Sequence, residues 1–272
     1  MNVYLVGNKS FIQNYFYSLY KHKINLIKIT FNKFIKNNKV SDGDVVINFS
    51  FDKIFFKKNY ILNKDRDLKI IKLLKNKKIL FVILSTRMVY KQSLNLKETS
   101  LKKPSNIYGR NKLMIENNCS KIKNIKPKIL ILRLSNIIGY EINRIRSSLM
   151  SKLIHGINKN FIQLDNSYKK KKDLMPVELF CRVLFILIKK RIYGIFNVGS
   201  GISISLLELS KILLNRSKFK NIKIRIDKKL KNSDNDYSYN ISKLKNIYKF
   251  NFNKKDLVNS LNVISKKIYA NK

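Results

Sequence analysis

Short apolar runs recur along the first half of the chain, and between them lie segments whose apolar positions are spaced for helices. The pattern predicts strands at Asn2–Val6, Asn25–Thr30, Asp44–Phe49, Ile79–Ser85 and Lys128–Leu134. Helices are predicted at Ser10–Tyr20, Asn63–Leu74 and Tyr108–Lys121. In the second of these, Leu68, Ile71 and Leu74 fall on one face. Strands that are apolar throughout, alternating with amphipathic helices, indicate parallel βαβ units with both sheet faces covered. The expected class is α/β, a doubly wound parallel sheet. Past the middle of the chain the pattern changes. A basic run, Lys169–Lys172, sits in a polar stretch that reads as a solvated loop. A helix at Val177–Ile188, a strand at Gly194–Val198, a helix at Ser205–Asn215 and a strand at Asn221–Ile226 follow. Asn232–Asn240 reads as a loop, and the C-terminal segment as helical. This suggests a first domain over residues 1–160 and a smaller α/β lobe over 161–272, partly interleaved.

Composition narrows the function classes. The 272 residues carry a formal net charge of +42. Such an excess can mark a nucleic-acid or anionic-membrane partner. Here, however, Arg stands at only ten positions, Ala at one and Trp at none, while Lys, Asn, Ile, Phe and Tyr abound. That is codon bias of a very A+T-rich genome, and a dedicated nucleic-acid binder would concentrate Arg for bidentate phosphate contacts. Nucleic acid is therefore not the expected partner. No apolar stretch approaches the ~20 residues that span a bilayer, and no signal-peptide pattern opens the chain. A cytoplasmic protein without membrane contact is expected. Cys119 and Cys181 are far apart, and His22 and His155 are the only histidines, which argues against a disulfide framework, a metal site or a Ser-His-Asp enzyme.

Two segments could carry chemistry. Gly7 follows a strand and precedes a helix, the place where backbone N–H groups can meet a phosphate. A plain β–α turn would look the same. Tyr108 and Lys112 lie at i,i+4 on a predicted helix, so that an ammonium sits beside a phenol. That neighbour would lower the phenol's pKa toward the range of a useful acid and base. Such a pair also arises by chance in a chain rich in Tyr and Lys.

The order of the whole set decides between these readings. From about residue 2 to residue 250 the sequence resembles the extended short-chain dehydrogenase/reductases, in their nucleotide-sugar epimerase, dehydratase and reductase branch. Gly7 to Gln13 stands at the family's glycine-rich turn. Asp44–Asn48 resembles its third-strand segment, and Asn63 with Asp65 its Asn before the next helix. Ser85-Thr86-Arg87-Met88-Val89-Tyr90 resembles the segment bearing the catalytic hydroxyl. Tyr108 to Lys112, followed by Glu116, matches the YxxxK helix. Arg133 to Gly139, Lys172 to Glu178, Phe196 to Gly201 with Ser205 to Leu209, and Asn240 to Leu244 resemble later family motifs.

The resemblance implies a Rossmann-type fold with a small C-terminal substrate lobe, a homodimer, and a nucleotide sugar as substrate. It implies a catalytic set of Thr86, Tyr108 and Lys112, with Ser85 as the alternative hydroxyl. Gly7, Ser10, Phe11, Ile12, Asn48, Ser50, Asn63, Tyr108, Lys112 and Ser135 would hold NAD or NADP. Thr86, Asn136, Lys172 and, less directly, Lys231 would meet the substrate. Departures are also visible. Ser10 and Gln13 replace two glycines of the turn, and a bulky Gln13 is expected to point away from the helix–strand contact or to push the helix outward. Restoring glycine at both positions would then tighten cofactor binding. No carboxylate follows the second strand to take a ribose hydroxyl. Thr30 and Lys33 stand there instead, which favours NADP over NAD. Arg87 and Met88 occupy places where the dehydratases typically carry Asp-Glu. The leading expectation is an NAD(P)-dependent nucleotide-sugar reductase or epimerase in surface-polysaccharide sugar synthesis. The alternatives are a catalytically eroded dinucleotide-fold binding or regulatory protein and a nucleic-acid-binding member of the family. Phe51, Phe55 and Phe56 read as core or loop packing.

Overall fold

The computed structural model describes residues 1–7, 10–140, 149–215, 221–227, 229 and 235–270. The chain forms two compact units. The first comprises Met1–Lys91, Glu98–Leu134 and Cys181–Val198. The second comprises Gln92–Lys97, Ser135–Phe180 and Gly199–Lys272.

The first unit is built on a six-stranded sheet. Its strands are β1 (Asn2–Val6), β2 (Asn25–Ile29), β3 (Val45–Asn48), β4 (Leu80–Thr86), β5 (Lys128–Leu134) and β9 (Gly194–Val198), in the order β2-β1-β3-β4-β5-β9. All neighbours pair parallel. The strand order reverses at β1, with β2 on one side and β3 on the other. In such sheets the crevice beyond the carboxyl ends at this reversal receives ligands. Alternate residues of each strand feed opposite faces. Tyr4, Val6, Val46, Phe81 and Ile83 pack with Phe34, Leu68, Ile71 and Ile115 in one buried layer. On the other side of the sheet Tyr20 of helix α1 (Phe11–Tyr20) stacks on Phe185 of helix α6 (Val177–Lys189), with ring centroids 4.3 Å apart.

Caps fix the helix starts. Ser10 precedes α1 without a side-chain cap bond. Thr30 caps the short α2 (Phe31–Lys36), accepting the Lys33 N–H. Asp65 caps α3 (Arg66–Leu73), accepting the Leu68 N–H. The helix expected from Asn63 thus begins three residues later, and Asn63 lies in a separate 3-10 turn, Leu62–Lys64. Asn106 caps α4 (Ile107–Ser120), accepting the Gly109 N–H.

The second unit holds a three-stranded sheet in the order β10-β8-β6, with β6 (Asn136–Ile138), β8 (Lys171–Pro176) and β10 (Ser203–Ser205). A parallel pair joins β7 (Phe161–Leu164) and β11 (Lys223–Ile226). Helices α5 (Leu149–Asn158), α7 (Leu206–Leu214) and α9 (Lys254–Ala270) pack around Leu153, Ile157, Leu164, Leu209, Leu213, Leu261 and Ile264, while the short α8 (Ser242–Ile247) buries Leu244. One expectation is corrected here. The end of the Lys169–Lys172 run is not a solvated loop, because Lys171 and Lys172 begin β8 and Lys172 is only 3% exposed. Among the described residues no helix is long and apolar enough to cross a membrane.

Candidate functional site

The carboxyl ends of β1, β3 and β4 and the first turns of α4 carry most of the residues singled out by sequence. Gly7 follows β1 with φ +133°, a conformation that L side chains rarely adopt. A Cβ there would lie 3.2–3.3 Å from Phe49 and the Ser50 nitrogen, so the turn after β1 runs tight against the end of β3. Asn8 and Lys9 lie outside the described residues. Ser10, Phe11 and Ile12 follow as the N-cap and first turn of α1. Among the described residues no side chain caps this helix, and the opening N–H groups of a helix are where an anion can bind.

Of the two expectations for Gln13, the one with its side chain pointing away from the helix–strand contact is corrected. Its side chain is wholly buried and points into the helix–strand contact. Nε2 donates to the carbonyls of Leu5 at 2.9 Å and Gly7 at 2.6 Å. The amide thus fills the seam that a glycine would close by direct packing, and it ties the turn to α1. Its Oε1 is buried and has no hydrogen-bond partner among the described residues.

At the end of β3, Asn48 and Ser50 bond to each other. Asn48 Oδ1 accepts the Ser50 N–H at 2.9 Å and its hydroxyl at 2.6 Å, while Asn48 Nδ2 donates to Asp67 at 2.7 Å. Asn63 is exposed, and among the described residues no hydrogen bond of its side chain joins it to this group. It lines a shallow groove with Ile61, Leu62, Leu68, Lys69 and Lys72. The Thr30 hydroxyl is committed to its helix cap, and Lys33 is exposed on α2.

Thr86 ends β4. Its Oγ1 accepts the Met88 N–H at 3.3 Å, which leaves the hydroxyl's own proton to donate elsewhere. The neighbouring Ser85 is committed, because its hydroxyl donates to Glu116. Glu116 in turn holds Arg133 through Nε and Nη2, the latter at 2.7 Å, with both side chains at most 3% exposed. Arg133 donates on to Tyr90 Oη at 2.6 Å and to the Glu98 carbonyl at 3.0 Å. Tyr90 donates to Asn197, whose N–H reaches the Glu98 carboxylate. This network staples β4, α4, β5 and β9 together, and it takes up the Ser85 hydroxyl but not that of Thr86.

Tyr108 and Lys112 face the site from α4. Gly109 makes that approach possible: a Cβ at this position would fall 2.2 Å from the Met88 carbonyl oxygen. The helix can therefore lie against the 3-10 turn Arg87–Val89 that follows Thr86 only with glycine there. A glycine inside a predicted helix was the signal for this. Lys112 is 5% exposed, and its Nζ donates to the Leu84 carbonyl at 2.7 Å.

The phenylalanines divide. Phe55 is core, as expected. Phe56 is 53% exposed and stacks on the Tyr108 ring at 5.0 Å, which is the loop packing rather than the core packing of the two readings. Phe51 meets Tyr108 edge-on at 5.5 Å, and its ring lies 4.3 Å from Lys112 Nζ. Asn111 holds their loop to α4 by donating to the Phe55 and Lys58 carbonyls at 2.9 and 2.8 Å. No sequence motif announces these three residues.

In the second unit, Ser135 is buried just after β5, and Asn136 opens β6 with its N–H donating to Tyr237 Oη at 3.2 Å. Lys172 Nζ donates to the Asn235 carbonyl at 3.1 Å. Lys231 lies outside the described residues. Asp173, beside Lys172, is fully buried and accepts the N–H groups of Ser200, Gly201 and Tyr239. Burial still pushes its carboxyl up to about 6.

Whether these residues suit a nicotinamide dinucleotide can be judged from the first unit. The tight glycine turn, the uncapped start of α1, and Lys112 with Tyr108 form a donor set suited to a pyrophosphate at one end and a ribose at the other. A ribose reaching Lys112 must displace the Phe51 ring. The residues fit the group on that condition.

Comparison with known proteins bears on the same point. No curated protein sequence matches the chain. Among solved structures, UDP-N-acetylglucosamine 4-epimerase from Methanobrevibacter ruminantium M1, in complex with UDP-N-acetylmuramic acid, superposes with a TM-score of 0.82 at 18% identity over 100% of this chain and 99% of that one. MoeE5 in complex with UDP-glucose and NAD gives 0.80 at 13% identity over 100% and 99%. RMD from Pseudomonas aeruginosa complexed with NADPH gives 0.77 at 15% over 98% and 99%. At these identities the likeness is one of fold. The sequence model of the NAD dependent epimerase/dehydratase family matches residues 39–199, more than half of the chain. With its parallel sheet and its YxxxK helix, the chain therefore belongs to the NAD-dependent epimerase/dehydratase family, enzymes of the extended short-chain dehydrogenase type.

Proposed function

We propose that the protein is an NAD(P)-dependent reductase or epimerase acting at a ring carbon of a nucleotide sugar. The observation that carries this reading is the packing of α4, through Gly109, against the turn that follows Thr86, with Tyr108 and Lys112 on that helix and Ser85 withdrawn into the Glu116 network. Thr86 donates its hydroxyl proton to the reacting oxygen of the sugar and fixes its position. Tyr108 Oη passes a proton to that oxygen or takes one from it. Lys112 stabilises the phenolate by its positive charge and holds the nicotinamide ribose. The dinucleotide, when bound, supplies or takes the hydride. Asn136 and Lys172 are proposed to serve the nucleotide-sugar end. Arg87 and Met88 bring no carboxylate to the site, which favours reduction or epimerisation over dehydration. A role in surface-polysaccharide sugar synthesis, a cytoplasmic homodimer and a preference for NADP belong to the same proposal.

The test is incubation with NADPH or NADH and a panel of UDP-, dTDP- and GDP-linked sugars. Absorbance at 340 nm and chromatography of the sugars are followed together. A reductase consumes reduced dinucleotide in step with product, whereas an epimerase interconverts sugars without net consumption. Tyr108→Phe should lower turnover by at least the ~10²–10⁴-fold of a lost general acid and base. Wild-type turnover in that variant would refute its role. A second reading, a dinucleotide-fold protein without turnover, is favoured by the Phe51 ring over Lys112. Absence of dinucleotide binding at millimolar concentration, together with absence of conversion, would move the conclusion there.

A further inference from the structure

The Phe51 side chain takes no part in the proposed mechanism, yet it lies against two groups that do. Its ring is 4.3 Å from Lys112 Nζ and meets Tyr108 edge-on at 5.5 Å. It also packs against the rings of Phe55 at 5.7 Å and Phe56 at 5.3 Å. Ring–ring and cation–ring contacts are individually weak, but here they gather around one side chain. The ammonium under the ring is 5% exposed and donates to the Leu84 carbonyl at 2.7 Å.

The backbone is pinned on both sides of that ring. Before it, Asn48 Oδ1 accepts the N–H and the hydroxyl of Ser50, and Asp67 orients this amide by accepting its Nδ2 at 2.7 Å. After it, the Asp52 carboxylate accepts the Ile54 N–H at 3.1 Å, and Asn111 ties the Phe55 and Lys58 carbonyls to α4. Phe55 is itself core, 1% exposed. The ring therefore leaves Lys112 by rotation of the Phe51 side chain and not by a swing of the loop. Each departure breaks its contacts with Lys112 and Tyr108. A ribose that reaches Lys112 incurs this loss at every binding, so the apparent affinity for dinucleotide falls by the fraction of time the ring stands aside.

Reduction and epimerisation place opposite demands on that affinity. In epimerisation the hydride taken from a ring carbon returns to the same carbon on its other face, and no dinucleotide is consumed. Tight retention serves that cycle, because loss midway strands the oxidised sugar. In reduction a carbonyl carbon gains a hydride from the reduced dinucleotide, and its oxygen gains a proton from Tyr108, which regains one from water. The oxidised dinucleotide must then leave before the next cycle. We infer that Phe51 makes the dinucleotide an exchanged co-substrate, and that the site therefore carries out net reduction of a keto group on a nucleotide sugar. This rests on the reading of the site as an oxidoreductase centre, whereas the cover of the ring over Lys112 does not.

The experiment has two arms. In the first, without dinucleotide, acetylation of lysines by acetic anhydride is timed and mapped by mass spectrometry in wild type and in Phe51→Ala. Labelling of Lys112, relative to the exposed lysines, should be several-fold faster in the variant, while the buried Lys172 stays protected in both. In the second, the dinucleotide content of wild type is measured after gel filtration, and NADPH and NADH affinities are measured by calorimetry in both proteins. Wild type should emerge with far less than one dinucleotide per chain, and Phe51→Ala should bind several-fold more tightly. Wild type that retains one dinucleotide per chain overturns the inference, even if the variant fails to fold. So does unchanged labelling of Lys112, or an affinity no higher than wild type, in the variant. Faster labelling of Lys112 in Phe51→Ala, with dinucleotide bound by neither protein at millimolar concentration, overturns the oxidoreductase reading instead and leaves the cover over Lys112 established.

Discussion

Gln13→Ala removes a wholly buried side chain whose amide bridges two backbone carbonyls, Leu5 and Gly7, at the end of the first strand. Each of these bonds contributes about 0.5–1.5 kcal/mol, and a buried carbonyl left unpaired loses about as much again. Loss of the buried methylene adds roughly 1 kcal/mol. Two gains offset part of this. The unpartnered Oε1 disappears, worth on the order of 1 kcal/mol, and alanine is the better helix former by a few tenths. The net expectation is destabilisation by about 2 kcal/mol. For a chain of this size that is a fall in Tm of roughly 4–8 °C. Urea unfolding read by circular dichroism measures it, alongside NADPH binding by calorimetry. Since Gln13 clamps the turn, Gln13→Ala and Gln13→Gly should weaken dinucleotide binding, which reverses the expectation drawn from the glycine pattern alone. A variant as stable as wild type, or one that binds more tightly, would refute the clamp.

Phe51→Ala should tighten dinucleotide binding several-fold, because the ring over Lys112 no longer has to move and only a cation–π contact of about 0.5–1 kcal/mol is lost; equal or weaker binding in calorimetry would count against this. Glu116→Gln leaves the Arg133 charge buried without its partner and should lower unfolding free energy by about 3–5 kcal/mol in urea titrations. Asp173 has a folded pKa raised to about 6 by burial, so its proton-bound form favours folding. That contribution is intact below the ordinary carboxylate pKa and declines as pH rises from about 4 to about 6, by on the order of 2–3 kcal/mol. Asp173→Asn should lack this decline, and parallel stability curves for the two proteins across that window would show the sign to be wrong.

Local spacing determined much of this protein. Short continuous apolar runs located the strands of the parallel sheet to within a residue or two, because strands buried on both faces leave a strong signal. The YxxxK helix and the turn after Gly7 were legible for the same reason: both are contiguous in sequence. What lies between distant segments was not. Gln13 could be recognised as a bulky residue in a glycine position, yet only the packed structure shows its amide facing the Leu5 and Gly7 carbonyls rather than solvent. Asn63 was placed in a helix by its apolar neighbours, whereas the cap at Asp65 starts the helix later and leaves Asn63 exposed. Lys172 read as one of a solvated run, but strand pairing buries it. Arg133, Glu116, Ser85, Tyr90 and Asn197 are scattered over more than a hundred residues, and no periodicity joins them. Their partnership follows from sheet register, which sets Ser85 opposite Arg133 and Arg133 opposite Asn197. Sequence spacing thus fixes which face a residue occupies, since that depends on backbone geometry a few residues long. Which buried polar group meets which is decided by strand order and helix packing, and for this chain those contacts shape the site around Lys112.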